Sequence, residues 1–306
     1  MIAEAAAAAI GRSLVAARRV AGGDINEAWQ IELDGGIRAF VKSRAGAAPG
    51  EYATEAAGLR WLGAVGHGLA VPGVLAVSDA SASAPAGGLP QTGRAAPAFL
   101  ALEWIHEGTL DERGEEALGR GLAHVHAAGA PAFGAPPPGA PNGGLRLGAV
   151  ELRAAVSAPW PAFYGEHRLA PLLRAAVDRG ALPPGGLRAV ATVIERLPAL
   201  AGPPEPPARL HGDLWTGNVL AGHDGRPYLI DPAAYGGHRE VDLAMLRLFG
   251  GPSPRMLAAY AEVHPLADGH EQRVPLWQLF PLLVHAVLFG GSYGAAARRA
   301  ARQAAA

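Results

Sequence analysis

The sequence predicts an α+β protein with two lobes, a small β-rich lobe at the amino end and a larger, mostly helical lobe after it. Short apolar segments separated by turn residues fill the first hundred positions, whereas from Asp111 onward apolar residues recur at helical spacing. The length of 306 residues agrees with two units, because a domain averages about 150 residues. We place the lobes at residues 1–105 and 106–306, with a connector over 103–108.

The first lobe is predicted to hold an antiparallel sheet and one main helix. A strand composition is found in five segments: 13–20, 28–33, 37–41, 74–77 and 98–105. Asp34-Gly35-Gly36 is a hairpin turn signal between the second and third of them. Residues 51–62 carry apolar side chains at helical spacing, and residues 5–10 form a short helix. The segment 78–96, rich in Ser, Ala, Gly and Pro, is predicted to be a mobile loop.

The second lobe is predicted to consist of helices interrupted by one irregular region. Helical periodicity marks six segments: 111–128, 150–177, 187–197, 240–249, 254–263 and 271–289. Asp111 and Glu112 give the first of these helices an acidic first turn, which suits the helix dipole. Residues 209–231 break the helical pattern with short strands and loops, and the Pro- and Gly-rich segment 133–144 is predicted to run over the surface.

Composition excludes several classes of function. The net charge of −1 argues against a broad surface for nucleic acid or anionic membrane. The absence of cysteine excludes disulfides, thiolate metal sites and a cysteine nucleophile. No run of 18 uncharged apolar residues suggests a membrane span, and no basic segment precedes the apolar residues 5–10. We therefore expect a cytoplasmic protein that binds neither nucleic acid nor membrane.

The scarcity of two residue types directs attention to the positions where they remain. The 26 basic residues include a single lysine, Lys42, and asparagine occurs only at Asn26, Asn142 and Asn218. A GC-rich genome accounts for this scarcity, because the codons of Ala, Arg, Gly and Pro are GC-rich. Codon bias does not account for where the remaining lysine and asparagines lie.

The most informative segment is Leu210-His211-Gly212-Asp213-Leu214-Trp215-Thr216-Gly217-Asn218. An Asp followed five positions later by an Asn is the catalytic-loop spacing of protein kinases, where the Asp accepts the proton of the substrate hydroxyl and the Asn binds Mg²⁺. Asp231 ends the apolar run 228–230 and occupies the place of the second kinase metal ligand. Each residue alone is an ordinary turn former. Together, the three indicate phosphoryl transfer from a nucleotide whose metal is bound by oxygen ligands.

Three segments of the first lobe are predicted to bind the nucleotide. Lys42, at the end of a hairpin strand, matches the kinase lysine that contacts the α- and β-phosphates, and its expected partner is Glu55 or Glu51. We prefer Glu55, which lies nearer the middle of its helix. Gly22, Gly23 and Asn26 fall where kinases carry a phosphate-covering loop, although the full glycine pattern is missing. The segment Leu102-Glu103-Trp104-Ile105 is predicted to be the hinge that binds adenine through backbone groups.

Segments along nearly the whole chain resemble the fructosamine kinase (ketosamine 3-kinase) family. The most specific of them lie in the second lobe: His211-Gly212-Asp213-Leu214-Trp215-Thr216-Gly217-Asn218, Asp231-Pro232-Ala233, Gly237-His238-Arg239-Glu240, Asp242-Leu243-Ala244-Met245, Leu248-Phe249-Gly250-Gly251 and Leu288-Phe289-Gly290. Earlier segments agree with them: 22–26, 41–42, 55–59, Trp160 and 163–169. A bare His-Gly-Asp would fit many small-molecule phosphotransferases, whereas the longer motifs fit far fewer.

The resemblance implies a protein-kinase-like fold and ATP- and Mg²⁺-dependent phosphorylation of the 3-hydroxyl of ketosamines. These acceptors are sugar adducts on amines, including glycated lysine of proteins, and the 3-phosphate makes the adduct fall apart. Carried over to this chain, Asp213 is the proton acceptor, Asn218 and Asp231 bind Mg²⁺, and Lys42 with Glu55 positions the phosphates. Trp215 is implied to form part of the sugar site. Support of the catalytic loop is implied for four residues: His211, His238, Arg239 and Asp242.

Two departures from the family pattern have consequences. Some family members carry a cysteine in the phosphate-covering loop that allows a disulfide-linked dimer, but this chain has no cysteine. We therefore expect a monomer in which such a dimer cannot form. The segment 142–145 matches the family's Asp-Asn-x-Ile-Gly only loosely, which leaves the substrate contacts there open. Two other functions remain open as well: a phosphotransferase for another small hydroxyl substrate, such as an antibiotic, choline-like alcohol or sugar, and an inactive kinase-fold binding module.

Overall fold

The computed structural model describes residues 2–20, 26–79, 97–141, 145–153, 155–156 and 159–306. Within these ranges the amino-terminal part contains an antiparallel five-stranded sheet with the order β1-β2-β3-β5-β4. Its strands are β1 Leu14–Val20, β2 Glu27–Leu33, β3 Arg38–Ser43, β4 Val74–Ser78 and β5 Phe99–Glu103. The predicted strands are confirmed to within about two residues at their ends. Gly35 and Gly36 have φ of 76° and 75° in the tight turn between β2 and β3, a conformation that glycine adopts without strain.

A helix covers each face of this sheet. Helix α1 (Ile2–Ile10) and helix α2 (Glu51–Gly63) are the two helices. Successive side chains of a strand point to opposite faces. Val41 accordingly packs in the cluster that contains α1, whereas Phe40 packs against the cluster that contains α2. The same alternation directs Lys42 to the α2 side, where the predicted partner Glu55 lies.

The remainder of the described chain is mostly helical. Its helices are α3 Glu112–Ala127, α4 Trp160–Phe163, α5 Ala170–Asp178, α6 Gly186–Leu200, α7 Glu240–Leu246, α8 Pro254–Val263, α9 His270–Phe289 and α10 Tyr293–Ala305. A π-helical segment, Tyr164–Leu169, connects α4 to α5. Asp111 caps α3 by accepting a hydrogen bond from the backbone N–H of Gly114 at 2.8 Å. The largest buried cluster joins α4–α6 to α7, α9 and α10 around Trp277.

Short antiparallel strand pairs carry the loops between these helices. The strands are β6 Arg146–Leu147, β7 Val150–Glu151, β8 Ala208–Leu210, β9 Val219–Ala221, β10 Pro227–Leu229 and β11 Tyr235–Gly237. Strand β6 pairs with β7, β9 with β10, and β8 with β11. None of the helices in the described part of the chain is both long and apolar enough to cross a membrane.

Two expectations about the second lobe are corrected, and the structure adds one helix to them. The predicted helix over 150–177 begins only at Trp160, because Val150 pairs with Leu147 in a ribbon and Pro159 disfavours helix before it. Within 133–144, Phe133 is buried at 7% exposure and packs in the main core, so that part of the segment is not a surface excursion. Helix α10 was not predicted, since its polar face and small residues give weak apolar periodicity. The predicted mobile loop lies outside the described residues from position 80 to 96.

Candidate active site

A buried carboxylate on α7 holds the start of the predicted catalytic loop in place. Asp242, on α7, is fully buried and accepts hydrogen bonds from the backbone N–H groups of His211 at 2.7 Å and Gly212 at 2.9 Å. Gly212 has a φ of 81°, and a Cβ at this position would lie 2.1 Å from the carbonyl oxygen of Ala233. Only glycine fits so close an approach in this conformation. The loop is thereby fixed at its first two residues.

His211 also supports the loop and does not act as a base in this arrangement. Its Nε2 lies 2.9 Å from the carbonyl oxygen of Ile230, so Nε2 carries the proton and donates it. Nδ1 is left to accept a hydrogen bond from the backbone N–H of Asp213 at 3.3 Å. Burial lowers the pKa of His211 and keeps the imidazole neutral. Both ring nitrogens therefore hydrogen-bond to the backbone, one to Ile230 and the other to Asp213.

Asp213 and Asn218 lie side by side at the two ends of the loop. The amide nitrogen of Asn218 donates to the carbonyl oxygen of Asp213 at 2.8 Å and lies 3.3 Å from its Oδ2. Burial raises the pKa of Asp213 to about 7, and the negative charge of Asp231 adds to the effect. A carboxylate poised near neutral pH can accept a proton from a hydroxyl group as that group attacks.

Lys42 forms a buried bridge between two carboxylates. Its Nζ lies 2.6 Å from Oε2 of Glu55 and 2.8 Å from Oδ1 of Asp231, and its side chain is only 5% exposed. Burial would lower the pKa of Lys42, but the carboxylates of Asp231 and Glu55 outweigh it and raise the pKa above its ordinary value. Lys42 therefore stays an ammonium ion that joins the sheet, helix α2 and the segment after β10.

The structure separates the two glutamates that the sequence offered as partners of Lys42. Glu51 is bound by both Nε and Nη2 of Arg44 and accepts from the backbone N–H of Ala48 at 3.0 Å. Glu55, one turn further along α2, is the glutamate that contacts Lys42. Arg44 thus pairs with the carboxylate of Glu51, the other candidate partner of Lys42.

Asp231 and Asn218 offer the oxygen donors that a magnesium ion requires. Asp231 has a φ of 53°, the left-handed region, which turns its side chain back toward the cleft directly after β10. One of its carboxylate oxygens contacts Lys42, and the other has no hydrogen-bond partner within the described ranges. The amide oxygen of Asn218 is likewise unpaired among the described residues, because the amide nitrogen makes the contacts to Asp213. Carboxylate and amide oxygens are the ligands that Mg²⁺ prefers, so this donor set fits that ion.

These residues line one cavity of about 410 Å³ between the sheet and the helices. Asn26 and Lys42 face it from the sheet, and Asp213, Asn218 and Asp231 form its floor. Asn26 is held in place because its Oδ1 accepts a hydrogen bond from the hydroxyl group of Tyr52 at 3.0 Å. The cavity thus brings together the predicted proton acceptor, metal ligands and phosphate-contacting residues.

The side of the cavity away from the sheet is formed by five aromatic rings, here called the aromatic wall. Its members are Trp215, Phe249, His285, Phe289 and Tyr293. The ring centroids of Trp215 and Phe249 are 6.1 Å apart, and those of His285 and Tyr293 are 5.0 Å apart. Trp215 and Phe289 are 39% and 53% exposed at its rim. An aromatic surface of this kind can contact the apolar face of a sugar.

His285 is the polar member of the aromatic wall. Its Nδ1 lies 2.7 Å from the carbonyl oxygen of Pro281, so Nδ1 carries a proton and donates it. Burial lowers the pKa of His285, which leaves Nε2 unprotonated. Nε2 is therefore the ring nitrogen left to accept a hydrogen bond. Sequence reasoning assigned no site role to His285, Phe249, Phe289 or Tyr293, although the motifs 248–251 and 288–290 contain Phe249 and Phe289.

Several predicted site residues lie away from this cavity. Leu102 is 2% exposed in the core of the sheet, and Glu103 ends β5 with its side chain on the backbone N–H of Gly73 at 3.2 Å. Neither these residues nor Trp104 and Ile105 line the cavity, so their predicted role as adenine hinge remains a prediction. Gly22 and Gly23 lie outside the described residues.

His238 and Arg239 belong to a buried ion-pair network behind the catalytic loop. Arg239 binds Glu205 through two contacts of 2.7 Å, and Arg273 binds Glu240 through contacts of 2.6 and 2.9 Å. The Glu205, His238 and Glu240 side chains lie close enough to hold a metal ion. Each glutamate already has its own arginine, so the charges of this group are balanced without a cation.

Comparison with known proteins gives a consistent result. The family model described as fructosamine kinase matches residues 1–306. The crystal structure of a putative fructosamine-3-kinase from Thermobifida fusca superposes with a TM-score of 0.86 at 42% identity, covering 99% of this chain and 98% of that one. A probable ketoamine kinase of Thermus thermophilus is 34% identical over 279 residues, covering 91% of this chain and 90% of the relative. A probable ketoamine kinase of Enterococcus faecium is 32% identical over 277 residues, 90% of each chain.

Coverage of this extent leaves no substantial part of the fold unmatched. The expected resemblance and the expected α+β, protein-kinase-like two-lobe fold are both confirmed. This chain belongs to the fructosamine kinase family.

Proposed function

We propose that this protein is an ATP-dependent kinase that phosphorylates the 3-hydroxyl of ketosamines, such as fructosamine, ribulosamine or erythrulosamine adducts. The observation that carries the proposal is the single cavity in which Asp213 faces Asn218, Asp231 and the buried Lys42–Glu55 pair. Membership of the fructosamine kinase family and the names of the relatives support the choice of acceptor. The proposal includes a monomer in the cytoplasm, where ATP is available.

Each residue of the floor has a task in this reaction. Asp213 accepts the proton of the sugar hydroxyl as the oxygen attacks the γ-phosphorus, and its pKa of about 7 suits a general base at neutral pH. Lys42, kept charged by Glu55, attracts the phosphates of ATP, while Asn26 lies beside it at the sheet side. Asn218 and Asp231 would hold Mg²⁺, which neutralises phosphate charge when bound.

The aromatic wall serves the acceptor. Trp215 offers its ring face to the apolar side of the sugar. Nε2 of His285 accepts a hydrogen bond from a sugar hydroxyl, because its Nδ1 proton is already committed to Pro281. Stacking and one directed hydrogen bond together orient the 3-hydroxyl toward Asp213, and orientation of this kind lowers the barrier to reaction.

A substrate panel tests the proposal. Purified protein with ATP and Mg²⁺ is incubated with fructosamines, ribulosamines and erythrulosamines, and with an aminoglycoside, choline and free sugars, and phosphorylated products are detected by mass. We expect phosphorylation of at least one ketosamine and loss of about 10²–10⁴-fold in rate for Asp213→Ala. The control Asp178→Asn, at an exposed position on α5, should keep full activity.

Two results would contradict the proposal. Phosphorylation of only a non-ketosamine alcohol would assign the chain to another small-molecule phosphotransferase. Binding of ATP without turnover of any acceptor would favour an inactive binding module.

A further inference from the structure

Arg146 is the second cation in the cavity, and the proposed reaction has so far given it no task. Strands β6 and β7 and the turn between them form a ribbon, residues 145–151, that borders the cavity with Leu145, Arg146 and Gly148. The other cation of the described lining, Lys42, pairs with Glu55 and Asp231 and is assigned to the phosphates of ATP. Arg146 is therefore the cation of this lining that has no assigned ligand.

The guanidinium of Arg146 has hydrogen-bonding capacity to spare. Its Nη2 donates to the carbonyl oxygen of Ala149 at 2.8 Å, which fixes the side chain over the turn. Its Nε is buried without a partner in the described part of the chain, so an incoming group would meet the Nη atoms. The nearest carboxylate, Glu151, lies 3.9 Å from Nη1 and is itself 63% exposed, so water screens the attraction. A guanidinium held in this way can form charge-assisted hydrogen bonds to an anionic ligand, because its only nearby carboxylate in the described chain is screened by water.

The position of the ribbon favours an anion of the acceptor, and not a phosphate of ATP, as the ligand of Arg146. Leu145 and Leu147, on either side of Arg146, are buried in the same core cluster as α9, and Tyr293 of the aromatic wall packs against that cluster. Lys42 and Asn26 approach the cavity from the sheet instead. Arg146 thus enters the cavity from the ribbon that packs on the helical core, whereas Lys42 and Asn26 enter it from the sheet.

We propose that Arg146 binds the carboxylate of a free amino acid joined to the sugar, so that the preferred acceptors are ketosamines of free amino acids. In such a compound the carboxylate is separated from the sugar C1 by only the amine nitrogen and the α-carbon. A ketosamine on the side-chain amine of a protein lysine carries no carboxylate near the sugar. This inference rests on the proposed kinase function and narrows its substrate class.

The test compares ribulosyl-glycine with ribulosyl-glycinamide, which differ in the charge of one group and little in size. We expect the wild-type kcat/KM to be about tenfold higher for the glycine adduct, a factor equivalent to about 1.4 kcal/mol. Arg146→Gln should remove this preference by raising KM for the glycine adduct alone. Arg146→Lys should restore part of it, and Arg174→Gln, an exposed arginine on α5, should change nothing.

The other outcomes are distinct from one another. Equal wild-type turnover of the two adducts, or a loss in Arg146→Gln that is the same for both, would overturn the inference and leave the kinase proposal standing; an equal loss would show that Arg146 only supports the ribbon. A raised KM for ATP in Arg146→Gln would assign Arg146 to the nucleotide and overturn it too. A preference for ribulosyl-glycinamide 5-phosphate over ribulosyl-glycine that depends on Arg146 would show that Arg146 binds an anion on the sugar. That result would also overturn the inference. Failure of every ketosamine to react would overturn the proposed function, and this inference with it.

Discussion

Asp213→Asn should make the protein more stable while it greatly slows phosphoryl transfer. The pKa of Asp213 rises from its ordinary 3.8 to about 7 in the folded protein, because burial and the charge of Asp231 disfavour the carboxylate. A difference of about three pKa units at about 1.4 kcal/mol each sets an upper bound of about 4 kcal/mol on the cost of ionised Asp213 at alkaline pH. The cleft admits water, so we expect about 2 kcal/mol in practice.

The pH dependence of this gain follows from the direction of the shift. The folded protein holds the Asp213 proton more tightly than the unfolded chain, so the cost is absent below about pH 4 and grows until about pH 7. An asparagine has no charge to bury, and its oxygen can still accept from Asn218. The variant should therefore gain most at pH 8 and less at pH 5.

Urea denaturation of the variant and the wild type at both pH values measures the free energy of unfolding. Asp178→Asn, on the exposed surface of α5, is the matched control and should show no such pH-dependent gain. A variant that is no more stable than the wild type at pH 8, or whose gain does not shrink at pH 5, would refute the reasoning. The residual kinase rate of Asp213→Asn should be lower by about 10²–10⁴-fold.

Two further predictions concern groups that hold the site together. Lys42→Arg should lower kcat/KM by about 10- to 100-fold while the protein remains folded, because a planar guanidinium does not fit where Nζ lies 2.6 Å from Glu55 and 2.8 Å from Asp231. Steady-state kinetics measure the loss, and thermal unfolding checks that the variant is folded. Unchanged kinetics would contradict the prediction. Asp242→Asn should lower the free energy of unfolding by about 2–4 kcal/mol and reduce kcat, because the new NH₂ group would face a backbone N–H group that now donates a hydrogen bond to Asp242. Urea denaturation measures the loss of stability. Full stability with full activity would exclude the role of Asp242 in holding the loop.

Local sequence was enough for the parts of the site that depend on short spacing. Asp213 and Asn218 lie in one loop, so a separation of five residues already predicts that they are neighbours. Alternation along β3 directs Lys42 to the face of the sheet that α2 covers. These relations involve one loop or one strand, and their geometry is set by backbone rules that do not depend on the rest of the protein.

Local periodicity misled where tertiary contacts or a proline overrode it. The segment 150–177 has apolar spacing compatible with one helix, yet residues 150–151 pair with β6, and the helix begins after Pro159. Helix α10 has small and charged residues with little apolar pattern, and it forms because it packs against α6 and α9. Its stability comes from that packing more than from its own propensity.

The sequence by itself determined the family and the two-lobe α+β fold, and it predicted a set of residues for phosphoryl transfer, because motifs and strand alternation depend on short spacings. Only the tertiary structure decided which carboxylate pairs with Lys42, since that depends on Arg44 occupying Glu51. The same holds for the aromatic wall and for Arg146, which line the same cavity from segments far apart in the chain. Such neighbours arise from the packing of whole helices, and no local pattern encodes their distance.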